Sequence, residues 1–131
     1  MPNPVLDAVA VSATDIEASK AFYRLLGFDF EGEGAFSAPQ HVEPVRRAGE
    51  PRLMIDDAAL MEKLNGEPPR APNHSIFAML CDSPMEVDAV AAEVAAEGHA
   101  IVTAPWDAPW GQRYATVSDP DGYRIDLFAQ L

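Results

Sequence analysis

The chain has 131 residues, 48% of them hydrophobic and 23% charged, which suffices for one core-forming domain and is too apolar for a disordered segment. A net charge of −12 opposes nucleic acid or an anionic membrane as partner, and a lone cysteine excludes an intrachain disulfide or a thiolate zinc cluster. The opening MPNPVLDAVAV lacks a basic stretch leading into an apolar run, and no apolar run approaches membrane-spanning length, so a soluble, cytoplasmic protein is expected.

Taken in chain order, Val9 and Val11 alternate with small residues and predict a strand. Thr14 followed by Glu17 has the spacing of a capping box, opening a helix whose apolar stripe is Ala18, Phe22, Leu25 and Leu26 and which ends at Gly27. FDFEG then starts another strand, and AFSAPQHVEPVRRAG and PRLMIDD supply further strand candidates. DDAALMEKLNG reads as a short helix ending at Gly66, followed by a Pro-rich linker over 67–73. The same grammar then returns. A strand in SIFAMLC leads to a cap at Ser83 with Pro84 and Glu86, and Val87, Val90, Ala91 and Val94 form the helix stripe. Gly98 ends the helix before the strand in HAIVTAP, and DPDG, residues 119–122, joins RYATVSD and YRIDLFA as a hairpin. This duplication predicts an α+β fold of two βαβββ modules, about 4–57 and 74–130, each curling an antiparallel sheet around a cleft with its helix on the convex side.

Alternation along the strands separates a helix-covered face from a cleft face. Ile125 and Leu127, Ala115 and Val117, Leu53 and Ile55, and Val9 and Val11 take the core. Gln112, Tyr114, Thr116, Arg124, Asp126 and Phe128 are left on the cleft face of the second module, and Arg52, Met54 and Asp56 on that of the first. Phe36 and His41, in the segment over 35–50, reach the cleft mouth, with His41 in a loop-like stretch between Pro39 and Pro44. Trp106 and Trp110 lie on a Pro- and Gly-bearing loop that folds over the cleft. Rings, hydroxyls and a few charges on one face suit a flat organic ligand. Cys81 reads as a core residue and His99 as a solvated turn residue.

With these residues in place, DIEASKAFYRLLGF, VDAVAAEVAAEG and DPDGYRIDLF together resemble the vicinal-oxygen-chelate superfamily, which includes glyoxalase I, extradiol dioxygenases and bleomycin-resistance proteins. The run PWDAPWGQRYATVSDPDGYRIDLFA looks most like small antibiotic-binding resistance proteins of the mitomycin-binding kind. The resemblance implies two modules per cleft, paired within one chain or across a homodimer, with dimerisation the expected assembly. In the superfamily's enzymes a divalent metal is held by His, Glu or Gln from four strands. Those positions fall here on Ala8, on Asp56 or Ile55, on Ile76 and on Asp126, too few donors for a metal, and His74 becomes a ligand only if the strand slips by two residues. No metal and no cofactor are therefore expected. The reading is metal-free sequestration of a small aromatic or quinone-like compound. The alternative is a glyoxalase- or dioxygenase-like enzyme with an atypical metal, or with Asp56 and Asp126 as an acid–base pair facing one cleft.

Overall fold

A computed structural model describes residues 2–131. The chain order is β1 (Ala8–Ala13), α1 (Ile16–Leu25), β2 (Phe36–Ala38), β3 (His41–Glu43), β4 (Arg52–Asp57), α2 (Ala58–Asn65), β5 (Ser75–Leu80), α3 (Pro84–Ala96), β6 (Ile101–Ala108), β7 (Gln112–Ser118) and β8 (Arg124–Gln130). The strand–helix–three-strand order occurs twice, and each set closes its own four-stranded sheet, β1-β4-β3-β2 and β5-β8-β7-β6. In both, the first strand runs parallel to the last and the other pairings are antiparallel.

The helix starts follow from their caps. Ser83 Oγ accepts from the Glu86 amide, with Pro84 at the first helical position where no donor is needed. At α1 the cap is Asp15, which accepts from the Glu17 and Ala18 amides, rather than the expected Thr14. Thr14 instead gives its amide and hydroxyl protons to Asp121, at 3.0 and 2.6 Å. The buried stripe of α1 is also rotated from the expected one. Ser19, Phe22, Tyr23 and Leu26 are buried, while Ala18 and Leu25 are half-exposed. FDFEG forms no strand. Asp29 Oδ1 captures the Glu31 and Gly32 amides in a local turn, which removes them from any ladder.

Parity holds where it was argued. Val11, Leu53, Ile55, Ala115, Val117, Ile125 and Leu127 are buried, and together with Phe22 and Tyr23 of α1 and Val87, Ala91 and Val94 of α3 they form one continuous core. The two modules are joined by α1. Tyr23, fully buried, donates its hydroxyl to Asp119 Oδ2 at 2.9 Å, and Phe22 packs edge-on against His99 at 5.0 Å. His99 is thus a packing residue of this joint rather than a solvated turn. On β1, β4, β7 and β8 the odd-numbered apolar side chains belong to that core and the even-numbered ones turn away from it, whereas on β3 Val42 is the core residue and His41 and Glu43 turn away.

Candidate functional site

The second sheet carries the richer face. Register aligns Trp106, Tyr114, Phe128 and Leu80 in one cross-strand row, and Thr116, Asp126 and Ala78 in the next. The rings touch in sequence: Trp106–Trp110 centroids are 5.6 Å apart, Trp110–Tyr114 5.3 Å, and Tyr114–Phe128 6.3 Å, the last pair stacked. Trp106 lies within β6, so the expected loop shrinks to the turn that holds Trp110. Pro105 is accommodated beside a register shift between Thr103 and Trp106. Trp106 and Trp110 remain 41% and 57% exposed, so this ring surface is open in the single chain. Trp110 Nε1 donates to Gln112 Oε1 at 2.9 Å.

Asp126 sits beneath the rings. Its Oδ1 accepts from Thr116 Oγ1 at 2.7 Å and from Ser75 Oγ at 2.5 Å, and its Oδ2 accepts from the Tyr114 hydroxyl. Burial, then the Asp126 bond and charge, push the Tyr114 phenol up to about 12, so it stays a proton donor at neutral pH. Alternation places Thr116 here, and it belongs with the site. Ser75 was hidden from alternation by a register shift between Ser75 and Phe77. The shift turns Ser75 onto the site face and packs Ile76 against the core, reversing the expected parity at Ile76. Arg124 donates from Nη1 to the Asn73 carbonyl at 2.9 Å, anchoring the linker.

The first sheet carries an ionic chain. His41 lies in β3, not in a loop, and pairs with Asp56 of β4. Its Nδ1 is 2.6 Å from Asp56 Oδ1 and its Nε2 is 2.6 Å from Glu43 Oε2. Carboxylates only accept, so both ring nitrogens donate and the ring is an imidazolium. Burial alone would depress its pKa, but the Asp56 and Glu43 bonds outweigh burial and hold it above the ordinary histidine value. Glu43 also accepts from Arg52 Nη1 at 2.7 Å, and Arg52 pairs with Asp7. Burial would raise the Glu43 carboxyl, yet His41 and Arg52 hold it below its ordinary value. Phe36, exposed, leans over His41 at 5.9 Å, and Met54 lies half-buried on β4 between Arg52 and Asp56. Glu43 and Arg52 join the site here. The i, i+2 spacing from His41 exposes Glu43 once 41–43 is read as a strand.

Among the described residues no hydrogen bond, ion pair or ring contact joins the His41 group to the Asp126 group. Asp56 and Asp126 make no direct contact with each other; each is held by its own module's side chains. Two grooves lie along the seam between modules. One of about 430 Å³ has Gly27, Arg47, Cys81 and Glu86 in its wall, and another of about 310 Å³ is lined by Leu6, Phe28, Leu53, Phe77 and Met79. Burial, then Glu86 and Asp82, raise the Cys81 thiol, which disfavours its thiolate.

A family model described as Glyoxalase/Bleomycin resistance protein/Dioxygenase superfamily matches residues 5–127. The chain belongs to that superfamily. Among solved structures, a glyoxalase/bleomycin resistance protein from Albidiferax ferrireducens is 27% identical, with 95% of this chain and 98% of that one covered and a TM-score of 0.72. TnmS3, an antibiotic binding protein from a Streptomyces species, is 25% identical, with 100% and 99% covered and a TM-score of 0.68. A lactoylglutathione lyase from Agrobacterium tumefaciens, 20% identical over 98% and 95% with a TM-score of 0.68, shares the fold. No curated protein matches the sequence at a significant level.

The metal that the superfamily's enzymes use does not fit the residues present. Ala8 pairs with Arg52, two rows from Asp56 and so about 13 Å along the strand, so these two positions do not form one half-site. Ile76 packs against the core, and neither it nor Ala8 carries a donor atom. Asp126 is closed off by three hydroxyl protons. The His41, Glu43 and Asp56 trio is no substitute. Its carboxylates lie against opposite nitrogens of one ring, whereas a metal takes one nitrogen, and no group of three His, Cys, Asp or Glu among the described residues has metal-holding geometry. No helix is long and apolar enough to cross a membrane.

Proposed function

We propose that the protein sequesters a small, flat aromatic or quinone-like compound without metal and without chemistry, in the manner of antibiotic-binding resistance proteins of the mitomycin-binding kind. The observation that carries this reading is the contiguous, open ring surface of Trp106, Trp110, Tyr114 and Phe128 set over a carboxylate already satisfied by hydroxyls. Ring stacking of this kind binds planar ligands by area and quadrupole, and needs no ion. The likeness to the antibiotic binding protein TnmS3 supports the same reading.

A cleft has two walls, and Phe36 of the first sheet and Leu80, Trp106 and Trp110 of the second are exposed in the single chain. The second wall is therefore assigned to a second copy, in a homodimer that sets the Phe36–His41–Asp56 face of one protomer opposite the ring surface of the other. Exposed Phe36, Leu80, Trp106 and Trp110 support this pairing. Sedimentation should give twice the 14.2 kDa chain mass, and a monomer at all concentrations refutes the two-copy cleft. The binding test is tryptophan emission during titration, in chelator, with mitomycin-type quinones, bleomycin-type compounds and a broader planar panel. Saturable quenching with the compound recovered unchanged is expected. Flat emission throughout refutes sequestration, and conversion of the compound would establish an enzyme instead.

A further inference from the structure

The hydrogen-bond capacity of the ring surface narrows what it can hold, and this step rests on the sequestration reading. A hydroxyl has one proton to give. Those of Ser75, Tyr114 and Thr116 all go to Asp126, and the single indole proton of Trp110 goes to Gln112. What these groups still offer a ligand is lone pairs and ring faces. Of the nearby donors, Arg124 sits on the far side of Asp126 from the rings. It is four residues from Phe128 along β8, about 13 Å, and it is turned toward the Asn73 carbonyl. Beside the rings, the Gln112 amide and the Trp106 indole N–H keep free protons, fewer than the hydroxyl and carboxylate lone pairs around Asp126.

The wall assigned to the second copy has the same bias. Both His41 nitrogens are engaged, and Arg52 directs Nε, Nη1 and Nη2 at Asp7 and Glu43. Three carboxylates there (Asp7, Glu43, Asp56) face three cations (His41, Arg46, Arg52), so this wall is balanced in charge and offers few free protons. The ring surface is therefore aromatic and acceptor-rich around the Asp126 carboxylate, on a chain of net charge −12. Each of these properties favours a ligand that brings protons and positive charge, and disfavours one that brings a carboxylate, sulfonate or phosphate.

We propose that the ligand is a planar aromatic cation, an amine- or amidine-bearing ring system whose N–H groups donate toward the Asp126 hydroxyl cluster while its rings stack on Trp110 and Tyr114. Calorimetry of the intact protein compares proflavine, a flat amine-bearing cation, with anthraquinone-2-sulfonate, a flat anion. Proflavine should bind at least about tenfold more tightly at low salt. In Asp126→Asn that preference should fall severalfold, with a cooperative urea transition retained to show the fold is intact. Equal affinities, or a tighter sulfonate, overturn the proposal while leaving aromatic sequestration standing. A preference that Asp126→Asn leaves unchanged traces to the overall acidity and also overturns it. Failure of both probes to bind refutes sequestration itself. If Asp126→Asn does not fold, the same comparison on wild type at low and high salt replaces it: a preference that about 0.5 M salt abolishes traces to the overall acidity and overturns the proposal, and one that persists supports it.

Discussion

Replacing Tyr23 with Phe removes one oxygen from the joint between modules and leaves the rest of the side chain in place. The ring keeps its edge-on contacts with Phe22 at 5.0 Å and Phe28 at 5.9 Å, so the change isolates the hydroxyl bond to Asp119. That bond spans 96 residues of sequence and is buried. Bonds to charged groups contribute about 1.5–3 kcal/mol, out of a total stability of about 5–15 kcal/mol. Urea midpoints should therefore fall at unchanged m, and Tm should fall by about 5–10 °C. The pH dependence gives a second check. Burial holds the Asp119 carboxyl above the ordinary 3.8, and the Tyr23 hydroxyl opposes that rise. Losing the hydroxyl raises the folded value further. A raised folded value adds stability below the unfolded one and loses it as pH rises through the folded one. The penalty of Tyr23→Phe should thus be small below about pH 3.8 and reach full size by neutral pH. Urea unfolding at fixed protein concentration, at pH 3.5 and pH 7, measures both. A neutral-pH loss under about 0.5 kcal/mol, or a larger loss in acid, refutes the assignment.

The His41 clamp gives a pH window. His41 is raised above 6.5 and Glu43 lowered below 4.5, so the stability it adds is complete between those values; it fades in acid through the folded Glu43 value and in base through the folded His41 value. Nuclear magnetic resonance titration of the His41 ring should show a midpoint above 6.5, and one below it removes the clamp. Gly66 caps α2 at φ 83° with open space around it, so Gly66→Ala should cost about 1 kcal/mol through backbone strain alone, read in thermal melts. Trp110→Ala should leave the melt nearly unchanged, because the side chain is mostly exposed, yet weaken planar-ligand binding by about tenfold or more in fluorescence titration.

Much of the fold was legible because it rests on period and punctuation. Val87, Ala91 and Val94 on α3, the Gly66 cap and the alternation along β7 and β8 are local signals, and all three hold. The errors share a cause, which is competition for backbone or space by groups distant in sequence or hidden in turns. Asp29 captured the amides that a strand over 28–32 required, and Asp121 drew Thr14 away from the helix cap it was expected to form. His41 read as a loop residue because Pro39 and Pro44 bracket it, although three residues between them suffice for a strand. The site was legible where single strands carry it, as with Tyr114, Asp126 and Phe128. The joint between the modules was not, since it depends on how α1 packs against α3 and the 119–123 turn.

The displaced register at the start of β5 has a corollary. One supernumerary residue there decides whether serine or its isoleucine neighbour, with a histidine two positions earlier, looks into the ligand space. Ironing out that irregularity would put the Ile76 side chain where Ser75 now meets Asp126, exchanging a hydroxyl for a hydrocarbon. The letters at this strand, read by simple alternation, are therefore a poor guide to which side chain faces Asp126.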